Sequence, residues 1–115
     1  MIRTLAIPIF GNRVSSRLDC SESILIVAID DGKVIQRREM RWTKASIPER
    51  IHMLIDEGVC ILICGGLTNT CAQLLRESSI EVIPWVRGEV EDIILRFLHG
   101  TLPTPESREN NRRQP

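Results

Sequence analysis

The residues equipped for chemistry fall in three polar segments. Gly11 to Ser23 offers Asn12, Arg13, Ser15, Arg17, Asp19 and Cys20: guanidinium groups that favour an anion, and a cysteine in a polar loop where packing gives it no purpose. Gly65-Gly66-Leu67-Thr68-Asn69 follows an apolar run and precedes a helical stripe. Glycines there let a ligand approach the backbone, and a helix N-terminus attracts negative charge. Pro84-Trp85-Val86-Arg87-Gly88 adds an aromatic face and another arginine. Together the three suit an anionic ligand, with soft metal or sulfide bound through thiolate at Cys20 or Cys64.

Each feature also has a plainer reading. Gly65-Gly66 suits a simple strand-to-helix turn, Arg13 and Arg17 suit solvated loop charges, and Cys20 suits a half-buried structural thiol. Cys60 in an apolar run and Cys71 on a helical stripe read as core packing.

The elements that must position these segments follow from hydrophobic periodicity. Leu5-Ala6-Ile7-Pro8-Ile9 reads as a strand ending near Pro8, because proline donates nothing to a ladder. Gly11 to Ser23 is then a connection longer than most in compact domains, a place for function or mobility. Ile24 to Ile29 is an apolar run of the kind covered on both faces, and Asp31-Gly32 after it is a hairpin signal. Lys33 to Trp42 alternates only in part and reads as an edge strand blunted by charge. Ser46-Ile47-Pro48-Glu49 has the form of a capping box, with Ile47, Ile51, Leu54 and Ile55 on the helical period and Gly58 as its stop. Val59 to Cys64 is the next strand and Leu67, Cys71, Leu74 and Leu75 the next helical stripe. Ile80 to Ile83 forms a fifth strand, and Val90, Ile93, Ile94, Phe97 and Leu98 mark a third helix closed by Gly100. The order is that of an α/β domain over residues 1–100, and the Pro-, Asn- and Arg-rich stretch 101–115 reads as a disordered tail. In such sheets ligands bind outside the carboxyl ends of the strands, where the three polar segments meet.

Composition narrows the function. The 115 residues are 43% hydrophobic and carry 15 basic against 15 acidic side chains, so the chain lacks the broad positive footprint of a nucleic-acid binder. It has neither an apolar run of membrane-spanning length nor the pattern of a secretory signal, which places it in the cytoplasm with its cysteines reduced. No C-x-x-C, G-x-G-x-x-G, G-x-S-x-G or H-E-x-x-H is present, and no histidine lies in the three segments to serve as a base. Binding is therefore favoured over catalysis.

Several stretches resemble one known family. Ala6-Ile7-Pro8-Ile9-Phe10-Gly11-Asn12-Arg13-Val14-Ser15-Ser16-Arg17-Leu18-Asp19-Cys20, Asp30-Asp31-Gly32-Lys33, Ile63-Cys64-Gly65-Gly66 and Ile80-Glu81-Val82-Ile83-Pro84 are similar to the dinitrogenase iron-molybdenum cofactor biosynthesis family, which includes NifX, NafY and the C-terminal domain of NifB. The resemblance implies a ribonuclease H-like fold, a mixed five-stranded sheet of order 3-2-1-4-5 with strand two antiparallel, flanked by three helices. It implies a carrier without turnover that binds an iron-sulfur or iron-molybdenum-type cluster and passes it between a donor and an acceptor protein. Many members carry His-Phe-Gly in the first loop where this chain reads Arg17-Leu18-Asp19, so Cys20 stands in as candidate ligand with Cys64. Asn12, Arg13, Ser15, Arg17, Gly65, Gly66, Thr68 and Asn69 are the expected cradle. A metal-free interaction or regulatory module, using the same cleft or the edge strand, is the alternative.

Overall fold

The computed structural model describes residues 1–102, and the tail expected beyond them lies outside the described residues. Among the described residues six strands and three helices run in the order β1 (Ile2–Phe10), β2 (Arg13–Val14), β3 (Ser23–Asp30), β4 (Lys33–Arg41), α1 (Ile47–Asp56), β5 (Ile61–Ile63), α2 (Asn69–Glu77), β6 (Glu81–Ile83) and α3 (Val90–Leu98). They build a mixed, open sheet of path β4-β3-β1-β5-β6, with β2 paired to β1 off that path. β3 lies antiparallel to β1 and to β4, while β5 lies parallel to β1 and β6.

Strand period splits the apolar residues between two faces. Leu5, Ile7 and Ile9 of β1 join Leu25, Val27 and Ile29 of β3 under Val90, Ile93 and Ile94 of α3. Ala6 joins Ile24, Ile26 and Leu62 under Ile51 and Leu54 of α1 and Cys71 and Leu75 of α2. The central strands are covered on both sides, which is why they read as unbroken apolar runs.

Local signals behave as their chemistry requires. Ser46 and Glu49 form a reciprocal capping box at the start of α1. Asp31 and Gly32, at φ 53° and 78°, make the β3–β4 hairpin with both central residues left-handed.

The structure also corrects the expected outline. β1 runs past Pro8 to Phe10. Along one edge it pairs with β5 only at Leu5 and Ala6 and with β2 only at Ile9 and Phe10, so the position lacking an N–H falls in the gap between partners. The partial alternation of β4 comes from a register shift opposite Ala28 and Ile29. Val34 thereby packs with the α3 side and Met40 with the α1/α2 side, and Ile35 is left exposed. Thr101 and Leu102, counted by composition with the tail, are part of the packed unit: the Thr101 amide donates to Arg96 and Leu102 is buried against α3. Cys60 is exposed, not core, although its backbone already bonds to Thr4 and Glu81; its thiol donates to the Thr4 carbonyl at 3.4 Å.

Candidate functional site

The site begins as a fork in the sheet. On the edge where β1 leaves β5 and takes up β2, the chain from Ser15 to Leu18 crosses the gap and meets the end of β5. The Gly66 amide donates to the Ser16 carbonyl at 2.8 Å and the Leu18 amide donates to the Gly66 carbonyl at 2.9 Å, so Arg17 and Gly66 are parallel bridge partners. On the other flank the amides of Trp85 and Val86 donate to the carbonyls of Gly65 and Cys64 at 3.0 and 2.9 Å. The Val14 amide donates to Gly88, and the Val90 amide to Asn12, at 3.0 and 2.9 Å. All three polar segments therefore meet at one rim.

The twin glycines serve this closure. A Cβ on Gly65 would stand 2.5 Å from the Ser15 carbonyl oxygen and 2.6 Å from that of Ser16, both backbone atoms, so no other residue fits without moving the loop. A Cβ on Gly66 would meet the Trp85 ring at 3.0 Å. The Gly66 amide, expected to be open to an anion, is already given to Ser16. Thr68 is the N-cap of α2, its hydroxyl oxygen accepting from the Cys71 amide at 3.1 Å, and exposed Asn69 opens the helix.

The first loop is ordered from below. Arg50 of α1 is only 5% exposed. Its Nη1 donates to the carbonyls of Leu18 and Ser21, both at 2.9 Å, and to Ser21 Oγ at 3.2 Å, while Nε donates to Ala45 at 3.0 Å. The guanidinium carbon lies 4.8 Å from the centre of the Trp42 ring, whose Nε1 donates to Ser21 Oγ at 3.0 Å. Burial pulls the Arg50 guanidinium below its ordinary value.

On the outer side Arg17 grips Asp19 through two bonds of 3.0 Å. The guanidinium holds the Asp19 carboxyl below the usual carboxylate range, and Asp19 in turn raises Arg17. Ser15 is buried with its hydroxyl donating to the Arg17 carbonyl at 3.1 Å. Arg13, Cys20 and Arg87 are exposed.

Of the expected residues, the fork brings Ser15, Arg17, Gly65 and Gly66 into direct contact, with Asn12 and Arg13 beside Gly88 to Val90 and Thr68 and Asn69 just beyond Gly66. The Cys64 side chain, expected as a second ligand, is 0% exposed and packs in the α1/α2 core, while its carbonyl accepts from Val86. Burial likewise pushes the Cys71 thiol up. Among the described residues no group of three or more His, Cys, Asp and Glu side chains is placed to share a metal ion.

Arg50 went unremarked in the sequence, and Trp85, expected there as an aromatic face, adopts an unexpected backbone. Arg50 sits on α1, where an arginine reads as an exposed-face charge. Trp85 is 58% exposed at φ 63°, a left-handed conformation that is a genuine outlier for a bulky side chain.

The sequence model described as "Dinitrogenase iron-molybdenum cofactor" matches residues 1–100. A search of curated proteins found no match. Among solved structures, a candidate dinitrogenase from Methanocaldococcus jannaschii superposes with TM-score 0.76 at 21% identity, covering 90% of this chain and 95% of that one. A candidate NifB protein from Thermotoga gives 0.71 at 23%, covering 89% and 92%. The apo form of the orange protein from Desulfovibrio gigas gives 0.72 at 18%, covering 89% and 92%. These likenesses establish a shared fold.

Proposed function

The chain belongs to the dinitrogenase iron-molybdenum cofactor family across residues 1–100, and from that membership we propose that it is a small non-catalytic carrier of an iron-sulfur or iron-molybdenum-type cluster, held as cargo at the fork rim and passed from a donor to an acceptor protein. We read the sheet as ribonuclease H-like and the protein as cytoplasmic; no helix among the described residues is long and apolar enough to cross a membrane. The observation that carries the reading is the closure of the rim by Leu18 and Gly66, which joins the loop bearing Arg17, Asp19 and exposed Cys20 to the turn that leads into α2 through Thr68. Clusters of this type are anionic and sulfide-rich, so arginines, a helix N-terminus and one thiol are suited to a guest that must also leave. Cys20 is the ligand the proposal names.

Anaerobic reconstitution with iron, sulfide and molybdate tests it. The reconstituted protein should be coloured with stoichiometric metal, and Cys20→Ala bleached; a colourless, metal-free wild type contradicts the carrier reading.

The metal-free alternative draws on β4, a nine-residue strand at the end of the sheet path. Ion pairs on its two faces, Arg37 to Glu91 of α3 and Arg38 to Glu57 after α1, tie it to both helical layers and leave its outer backbone edge to an extended partner. Elemental analysis of protein purified without oxygen separates the two readings.

A further inference from the structure

A buried arginine calls for a reason, because taking a guanidinium out of water costs more than packing an apolar side chain of similar volume. Arg50 faces no carboxylate within ion-pair distance among the described residues; its bonds run to three carbonyls and one hydroxyl. Those acceptors come from two separate stretches, Leu18 and Ser21 on one side and Ala45 on the other. The planar fork of donors spans them in a way that one ammonium does not. Ser21 completes the unit: it is 3% exposed, donates to the Leu18 carbonyl at 3.0 Å, and accepts from both Trp42 and Arg50.

The turn so held is the one that carries the exposed chemistry. Between Leu18 and Ser21 lie only Asp19 and Cys20, and Leu18 is the residue whose amide closes onto Gly66. We propose that Arg50 is a positioning residue: with Trp42 and Ser21 it fixes the Leu18–Ser21 turn from beneath, and so sets where Arg17, Asp19 and Cys20 stand relative to the twin glycines. Its functional meaning rests on the rim being the cargo site, but the positioning itself is a property of the empty protein.

Amide exchange and ¹⁵N relaxation of cargo-free protein decide it. In Arg50→Met the amides of Leu18 and Gly66 exchange about tenfold faster or more, and the heteronuclear NOE at the Cys20 amide and Arg17 Nε falls, while Val27 and Leu62 stay within about twofold of wild type. Arg50→Lys restores part of the protection. Ser21→Ala, a milder change should Arg50→Met fail to fold, shifts the same four reporters in the same direction. Exchange at Leu18 and Gly66 unchanged in the folded variants, or rising equally at Val27 and Leu62, overturns the proposal. Neither result depends on cargo uptake, so failure of the carrier reading and failure of this one are separately visible.

Discussion

Leu18 and Gly66 are joined by a backbone bond: the amide of the first donates to the carbonyl of the second at 2.9 Å, tying a loop that leaves the central strand to the turn that opens α2. Everything exposed on the rim is placed relative to that bond. It exists because position 65 has no side chain, which lets the carbonyls of Ser15 and Ser16 approach the end of β5.

The two glycines are therefore unequal. Gly65→Ala drives a Cβ into backbone oxygens that have nowhere to go and is expected to cost about 1–3 kcal/mol, the range of forced overpacking. Gly66→Ala meets a Trp85 ring that swings aside, and should cost less. Chemical denaturation of the two variants checks the order; equal losses, or a larger loss at position 66, refute it.

Trp85 stores strain in an exposed place. A left-handed backbone costs an L-residue roughly 1–2 kcal/mol, a cost asparagine largely avoids. Trp85→Asn trades the ring's contact over Gly66 for that relief, so the stability change should stay within about 1 kcal/mol although a large aromatic is deleted. Cargo uptake should weaken, since the ring borders the rim. A variant that loses clearly more stability than this while cargo uptake is unchanged would show the ring to be packing alone.

The cysteines should react in two classes. Cys20 and Cys60 are exposed, whereas Cys64 and Cys71 are buried and burial raises the Cys71 thiol. Alkylation of native protein, read by peptide mass spectrometry, should label the first pair rapidly and the second only on unfolding. Early labelling of Cys64 would contradict the packing described.

Acid should loosen the fold from the low side. Arg17 lowers Asp19, the Ser46 backbone lowers Glu49, and Arg37 lowers Glu91. Each carboxyl binds its proton more weakly folded than unfolded, so its contribution is complete above the usual carboxylate range and is lost as pH falls through the depressed folded value. The melting temperature should hold from neutrality down to that range and fall beneath it, less steeply in Asp19→Asn with Glu91→Gln. A melting temperature that rises on acidification through that range is the contrary result.

Much of this was legible in the residues. The continuous run Ile24 to Ile29, the capping box at Ser46 and the Asp31-Gly32 turn each act through neighbours close in sequence, so their signal is local. The failures share one cause, which is contact between distant segments. Pro8 sits inside β1 because two different strands share that edge, Gly66 spends its amide on Ser16, and Arg50 reaches a turn about thirty residues away. Within the run they share, Cys60 is exposed and Cys64 buried, a difference that an unbroken apolar stretch does not announce.

The central claim is that a metal cluster sits at the fork, and paramagnetic mapping tests it most directly. Isotope-labelled protein loaded anaerobically with an iron-containing cluster should lose the amide resonances of residues 16–20, 65–69 and 85–88 by paramagnetic broadening, while those at the start of β4, opposite Asp30, and at the end of α1 persist. Broadening centred elsewhere, or a spectrum unchanged at full metal loading, would contradict the account.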